Sequence, residues 1–155
     1  MRIILLFLFI SSALAAPKWS FHRKYGAVEI FKSLSTGTRL VLEYKTTTKV
    51  FDMKNKEKFY QKLAQKKKKV LAITGVHDWK ADSYAVEEKK SFKILTIDGS
   101  YFDNNKRKIY FREVHYYGKG RFLQLLATNK NKENLKRSLQ DNSLSGFKVK
   151  YGFSH

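Results

Sequence analysis

Alternation of apolar and polar residues is clearest in the stretch 91–128, which predicts three neighbouring β-strands. Its apolar runs are interrupted by two short polar turns, 103–106 and 118–120. Short alternating runs separated by such turns are typical of an antiparallel meander. We therefore expect this meander at the centre of the fold, with the rest of the chain covering or extending it.

Further strands are predicted on both sides of the centre. In the segment 39–44, Leu40, Leu42 and Tyr44 fall on one face of an extended chain, and the intervening residues fall on the other. This period of two is the pattern of a β-strand. Shorter stretches of the same kind predict strands at 18–23, 28–32 and 79–88. A last extended segment is predicted at 147–151.

The period changes to that of a helix between Asn55 and Thr74. Apolar residues recur there at spacings of three, four and seven, namely at Phe59, Tyr60, Leu63, Ala64, Val70 and Leu71. Asn55 is a suitable N-cap and Gly75 a suitable stop. A shorter helix is predicted from Asn131, with Leu135 and Leu139 facing inward.

These elements predict an α+β fold: an antiparallel β-sheet with a long helix and a short C-terminal helix packed on it. The chain has 155 residues, of which 43% are hydrophobic and 15% aromatic. That length fits one domain, and that composition favours a folded core over disorder. We expect a single α+β domain over residues 16–155.

Residues 1–15 have the pattern of a secretory signal peptide. Arg2 is followed by the apolar run Ile3–Ile10 and by Ala13-Leu14-Ala15, a small-x-small cleavage site. The apolar run is shorter than the roughly 20 residues that span a bilayer. The sequence therefore predicts cleavage after Ala15, a periplasmic or extracellular location, and no transmembrane span in the processed chain.

Charge is the most unusual feature of the composition. Thirty-two basic residues stand against 13 acidic ones, a formal net charge of +19, and the loss of Arg2 with the leader leaves 31 − 13 = +18. Such a charge attracts anionic surfaces and polymers, and salt screens that attraction. The alternative interpretation is that the lysine-rich surface only keeps the protein soluble and has no specific partner. Cysteine is absent, which excludes disulfides, thiolate metal sites and a lipid-acceptor cysteine.

Two groups of residues are candidates for contact with an anionic partner. One is a lysine run in the long helix, and the other is a set of aromatic and basic residues on or beside the middle strand of the meander. Such residues can stack against rings and hold phosphates. The candidate residues are Lys66, Lys67, Lys68, Lys69, Tyr110, Arg112, Tyr116, Tyr117, Lys119 and Arg121.

Both groups also have a purely structural interpretation. Lysines near the C-terminal end of a helix interact favourably with its dipole, and the lysine run is expected on the solvent side. On the middle strand, Ile109, Phe111 and His115 are expected to fill the core. The alternate residues would then form cross-strand pairs on an outer face.

No catalytic or metal-binding motif is found in the sequence. Neither Gly-x-Ser-x-Gly nor a phosphate-binding glycine loop occurs, and the histidines at 22, 77, 115 and 155 lack metal-ligand spacing. We expect no metal and no cofactor. A small secreted hydrolase remains an alternative, and it requires His77, Asp78, Asp98 and His115 to converge in one pocket. Asp98, before Gly99, and Asp103 are otherwise explained by turns or a bulge.

The chain resembles the PsbP-like α/β/α sandwich family in the order of its elements. The resemblance rests on Lys18–Phe21, Gly99, Lys108–Glu113, Arg121–Thr128 leading to the helix start at Asn131, and Ser145–Lys148. The family includes photosystem accessory proteins, a nuclear-transport factor and bacterial periplasmic lipoproteins. It implies no shared catalytic residues, and its members act mostly as accessory or interaction domains. This chain departs from the lipoproteins in lacking the lipid-acceptor cysteine and in its high positive charge.

The sequence as a whole predicts an exported, non-catalytic accessory or binding domain. Its expected partner is an anionic envelope polymer, a membrane surface or an acidic protein. Besides the hydrolase, a nucleic-acid-binding protein is a second alternative, and it would require the chain to stay inside the cell.

Overall fold

A computed structural model describes residues 19–47, 55–118, 120–140 and 143–153. Seven strands form one antiparallel sheet in the order β1-β2-β3-β7-β6-β5-β4, and three helices accompany it. The predicted α+β class is confirmed, whereas the predicted signal peptide lies outside the described residues. The elements are β1 Trp19–Tyr25, β2 Val28–Ser33, β3 Arg39–Thr46, α1 Lys56–Ile73, β4 His77–Glu88, β5 Lys93–Phe102, β6 Lys108–Gly118, β7 Arg121–Asn129, α2 Lys132–Ser138 and α3 Ser145–Lys150.

The predicted meander is formed by β5, β6 and β7. Val114 at the middle of β6 pairs with Thr96 on one side and Leu125 on the other. Asp103 stabilises the first turn, because its carboxylate accepts the backbone N–H groups of Asn105 and Arg107, each at 2.9 Å. The interpretation of Asp103 as a turn residue is therefore confirmed.

The three N-terminal strands join the meander through β3 and β7. Leu40 pairs with Ala127, and Leu42 pairs with Leu125. This junction links strands about 80 residues apart in sequence, as the paired residue numbers show. It makes one continuous sheet of the N-terminal strands and the meander.

Both faces of the sheet are covered, which corrects the expectation of one core face and one outer face. The α1 face carries Trp79, Leu95, Ile97 and Phe111 under α1. The opposite face, here called the α2 face, carries Leu40, Leu42, Leu123 and Leu125 under α2 and α3. Tyr116 belongs to this second core and is only 6% exposed, so the expectation that it faces outward is wrong.

Helix α1 confirms the predicted long helix, although one residue that was expected to face the core is exposed. The chain leaves the helix through Gly75 at φ +76°, a conformation that glycine adopts without steric cost. Asn55 occupies the N-cap position but makes no side-chain capping bond. Val70, expected inside, is 51% exposed. No helix in the described residues is both long and apolar enough to cross a membrane.

The C-terminal segment is helical, and the extended segment predicted at 147–151 is wrong. Phe147 packs against Phe31 and Tyr151 stacks on Tyr44, each pair of ring centroids 4.8 Å apart. Residues four apart share one face of a helix, so α3 and its cap residue Tyr151 turn both half-buried rings toward the sheet and leave Val149 exposed. The predicted shorter helix at Asn131 is confirmed as α2, and its cap is the Asn131 side chain, which accepts the Asn134 N–H at 2.9 Å.

Phe153 closes the α2-face core, and its removal is expected to destabilise the fold strongly. It is 1% exposed and contacts the rings of Phe92 and Tyr116 at centroid distances of 5.7 and 5.6 Å. Phe153→Ala should lower the free energy of unfolding by about 3–5 kcal/mol, measured by urea denaturation. The matched control is Val149→Ala on the exposed side of α3, which should change it by less than about 0.5 kcal/mol. Equal effects would contradict this anchoring role.

Candidate functional site

The ten residues predicted to bind an anionic partner do not form one site. Lys66, Lys68 and Lys69 are exposed on α1, while Lys67 turns inward to the sheet. Tyr110 and Arg112 lie on the α2 face. The remaining predicted residues are Tyr116, in the α2-face core, Tyr117, beneath α1, Arg121, beside the Phe153 ring, and Lys119, outside the described residues.

Lys67 occupies the centre of the inward stripe of α1, which corrects its expected position on the solvent side. Tyr60, Leu63, Ala64 and Leu71 also pack on the sheet from this stripe. A residue four positions from Leu63 and from Leu71 falls on the same side of a helix. The lysine run therefore contains one inward and three outward cations.

The inward cation belongs to a buried polar cluster, here called the Glu113 cluster: Lys67, Glu113, His115, Tyr117 and Gln124. Glu113 is only 1% exposed, and Lys67 Nζ contacts both of its carboxylate oxygens. Gln124 Nε2 donates to Glu113 Oε1 at 2.6 Å, and His115 Nε2 lies 2.5 Å from the same oxygen. Three different elements thus contribute donors to one buried carboxylate.

The hydrogen bonds of the Glu113 cluster determine the tautomer of His115. An ionised carboxylate only accepts hydrogen bonds, so Nε2 must carry the proton. On a neutral ring, Nδ1 then accepts from the Tyr117 hydroxyl, 2.9 Å away. Burial and the nearby Glu113 charge raise the pKa of Tyr117 far above its usual value, which keeps this hydroxyl protonated as a donor.

Burial alone would raise the pKa of Glu113, but its partners reverse that effect. The hydrogen bond from His115, together with the charge and hydrogen bond of Lys67, holds the pKa of Glu113 below its usual value. Because its oxygens are already occupied by these donors, Glu113 has a structural role. It ties α1 to the sheet.

The residues required by the hydrolase alternative do not converge. His77 and Asp78 are exposed at the start of β4, and Asp98 lies on the α2 face, bound to Arg112. His115 is buried on the opposite face. The predicted four-residue pocket is therefore contradicted. Within the ranges that the structure describes, no group of three or more His, Cys, Asp or Glu side chains could hold a metal ion.

Two surface hollows remain as candidate sites. The first, here called the α2 cleft, has a volume of about 230 Å³ and lies between α2 and the strands β4, β5 and β6. Asp82, Asp98, Tyr110, Arg112, Lys132 and Lys136 are among its lining residues. It contains Tyr110 and Arg112 from the predicted set. The two lysines from α2 were missed, although their spacing of four places them on one side of that helix.

The second hollow, here called the basic hollow, has a volume of about 480 Å³ and lies on β1–β3. Its lining includes His22, Arg23, Lys32 and Arg39 but no acidic residue. Lys32 and Arg39 are direct cross-strand partners, an arrangement of like charges that destabilises a sheet. Among the described residues neither of them forms an ion pair.

The basic hollow was missed in the sequence because its residues come from three separate strands. Arg23 lies opposite Ile30, and Ile30 lies opposite Val41. Val41 in turn pairs with Leu126, which belongs to the α1-face core. The register therefore places the Lys32–Arg39 pair on the α1 face, at the opposite end of the sheet from β4. The alternating polar positions of β2 and β3 were the only available signal.

Comparison with solved structures identifies the fold. The chain is similar to cyanobacterial PsbP (CyanoP) from Synechocystis sp. PCC 6803, with a TM-score of 0.56, 6% sequence identity, and coverage of 84% of this chain and 76% of that one. It is also similar to PA94 of Pseudomonas aeruginosa, a protein of unknown function, with a TM-score of 0.52, 11% identity, and coverage of 88% and 95%. No protein-family model and no curated protein matches the sequence. At such low identity the likeness shows the fold alone.

Removal of Lys67 is expected to destabilise the protein, because it leaves the Glu113 charge buried without its cation. Lys67→Met should lower the free energy of unfolding by about 3 kcal/mol. Lys68→Met, on the outward side of the same helix, should change it by less than about 0.5 kcal/mol. Urea denaturation of both variants measures the difference. Similar losses of stability in both variants would show that the contact between Lys67 and Glu113 does not stabilise the fold.

The Glu113 cluster also predicts an acid-sensitive fold. A carboxyl group whose pKa is lowered in the folded state contributes stability above its unfolded value, 4.5. That contribution is lost as the pH falls through the lower, folded value. The free energy of unfolding of the wild type should therefore decrease below pH 4.5. Glu113→Gln should be less stable at pH 7 and show a flatter dependence between pH 7 and pH 3. Parallel pH curves for the two proteins would exclude Glu113 as a source of the dependence.

Proposed function

Because a PsbP-like fold does not itself specify a chemistry, we propose a function from the surface that this chain builds on it. The protein is an exported, non-catalytic binding domain that attaches to an anionic phospholipid surface through the basic hollow. The observation that carries the proposal is the Lys32–Arg39 pair. Two cations face each other across β2 and β3, and no carboxylate lines the hollow around them.

An uncompensated pair of cations favours an external anion. Several other cations on or beside the sheet do contact acidic groups: Lys24 and Lys150 both contact Glu29, and Arg112 binds Asp98. In the described ranges, Lys32 and Arg39 have no ion-pair partner, so no acidic side chain there relieves their mutual repulsion. A phosphate group bound between them would relieve it and would form charge-assisted hydrogen bonds with the Arg39 guanidinium.

Exposed apolar side chains near the hollow favour a lipid surface over a dissolved anion. Phe21 and Tyr25 are exposed on β1, and Leu34, directly after β2, is 72% exposed. Clusters of basic residues beside exposed aromatic and aliphatic side chains are typical of proteins that lie on anionic membranes. Strand β1 is also the edge of the sheet. Tyr25 lies on the α1 face with the hollow, whereas Phe21 contacts Phe31 on the α2 face, so an exposed aromatic side chain stands on each side of this edge.

Vesicle binding tests the proposal. The purified protein should sediment with vesicles that contain phosphatidylglycerol and not with vesicles of phosphatidylcholine alone. Because basic residues near an anionic surface contribute about 1 kcal/mol each, Lys32→Ala combined with Arg39→Ala should weaken this binding roughly 30-fold. Binding of the wild type should also weaken between about 0.01 M and 0.15 M salt, since the Debye length falls from about 30 to 8 Å.

The control removes the same charge at a different place. Lys66→Ala combined with Lys69→Ala also lowers the net charge by two, on the exposed side of α1, and should weaken binding much less. An equal or larger loss of binding in this control would show that binding depends on the lysine run or on net charge alone, and not on the basic hollow. Binding that is insensitive to salt would overturn the electrostatic mechanism. Stronger binding of poly-glutamate or an oligonucleotide through the same two cations would overturn the choice of a lipid partner.

A further inference from the structure

The α2 cleft separates its charges between two walls. Lys132 and Lys136 stand on the helix side, and Asp82 stands on β4. Helix α2 packs against β6 and β7, while β4 is two strand spacings from β6, about 10 Å. Among the described residues, no ion pair joins the opposite charges of the two walls.

A β-bulge shapes the β4 wall. The pairing of β4 with β5 shifts between Ala81 and Ser83, so that Ala81 pairs with Gly99, Ser83 pairs with Asp98, and Asp82 has no partner opposite it. A side chain at position 99 is excluded, because a Cβ there would lie 2.1 Å from the Lys80 carbonyl oxygen and 2.7 Å from Phe111 Cζ. Bulges redirect side chains and are frequent beside binding sites. Here the bulge leaves both Asp82 and Ser83 in the lining of the cleft.

The floor of the cleft holds an oriented guanidinium group. Arg112 Nε and Nη2 donate to the two carboxylate oxygens of Asp98 at 2.7 and 2.9 Å. A guanidinium has five N–H donors, so this pairing occupies one edge and leaves three donors available. The Arg112 side chain is 41% exposed, which allows a ligand to reach the remaining donors. Asp98 thus positions Arg112 as a fork for a carboxylate.

The two lysines that line the cleft near Arg112 differ in whether they form an ion pair. Lys136 Nζ contacts Glu133 at 3.0 Å on the outer side of α2, whereas Lys132 has no ion-pair partner in the described part of the chain. Across the cleft, Asp82 has only a contact of 4.0 Å to the exposed Lys80. One cation and one carboxylate, on opposite walls, are therefore available to a ligand.

We propose that the α2 cleft binds a small zwitterion, an amino acid or a short peptide. Its carboxylate would bind the free edge of Arg112 together with Lys132, and its ammonium group would bind Asp82. Tyr110, Leu135 and Leu139 supply the less polar surface between the two charged ends. The volume of about 230 Å³ is below the usual range of about 300–1,000 Å³ for sites of drug-sized ligands, which suits a small molecule. This proposal uses none of the residues of the basic hollow and does not depend on membrane binding.

A titration with glycylglycine, followed by NMR of the isotope-labelled protein, tests the proposal. Amide signals of α2, β6 and the β4 bulge should shift together and saturate. N-acetyl-glycylglycine lacks the ammonium group and glycylglycinamide lacks the carboxylate, so each should bind at least tenfold more weakly. Equal binding of all three, or shifts that never saturate, would overturn the proposal. Free glycine in a parallel titration decides between an amino acid and a peptide.

Two variants assign the ends of the ligand. Asp82→Asn should weaken glycylglycine binding about tenfold and leave binding of N-acetyl-glycylglycine unchanged, because only the former presents an ammonium group. Lys132→Ala should weaken the binding of both. Lys130→Ala, an exposed lysine outside the cleft, is the control and should change neither. A loss of both ligands with Asp82→Asn would mean that the variant alters the cleft itself, and would contradict the assignment. The Lys32→Ala/Arg39→Ala protein should bind glycylglycine normally, which separates a failure here from a failure of the proposed membrane function.

Discussion

Strand β6 contributes residues to the cores on both faces of the sheet, and much of the structure follows from the need to cover these two apolar faces. It pairs with β5 on one side and β7 on the other. Both of its edges are therefore covered by neighbouring strands, and only its two faces could contact water. Its alternate residues face two different cores. Phe111 and Glu113 face α1, whereas Val114 and Tyr116 face α2 and the C-terminal segment. Covering both faces with helices produces the α/β/α sandwich.

The charged residues on the two faces of β6 differ in their exposure to water. Beneath α1, Glu113 is withdrawn from water and requires Lys67, His115 and Gln124 as partners, because an unpaired buried charge is strongly unfavourable. On the α2 face, Arg112 stays half-exposed and Asp98 occupies only part of its donors. The first arrangement completes the fold, and the second leaves donors at the surface. A cation on this protein is thus structural or available according to the acidic groups that the sheet register places beside it.

The PsbP-like architecture positions sites without specifying their chemistry. The basic hollow arises where β1–β3 extend away from α1 on the α1 face. The α2 cleft arises where a short helix leaves the β4–β6 part of the other face open, next to a bulge. Both depend on side chains local to this chain, and the low sequence identity to the solved structures carries no information about them.

Local pattern in the sequence was sufficient for the elements that are near neighbours along the chain. The meander, the long helix and the cap at Asn131 follow from period, turn residues and capping chemistry, all of which act over a few residues. The segment 147–151 failed because Phe147 and Tyr151 satisfy both a strand and a helix spacing, and only the contacts with Phe31 and Tyr44 select the helix. Tertiary structure alone paired β3 with β7 and brought Lys67 to Glu113. These are contacts between distant segments, decided by register and by the burial of both sheet faces, and no short-range pattern records them.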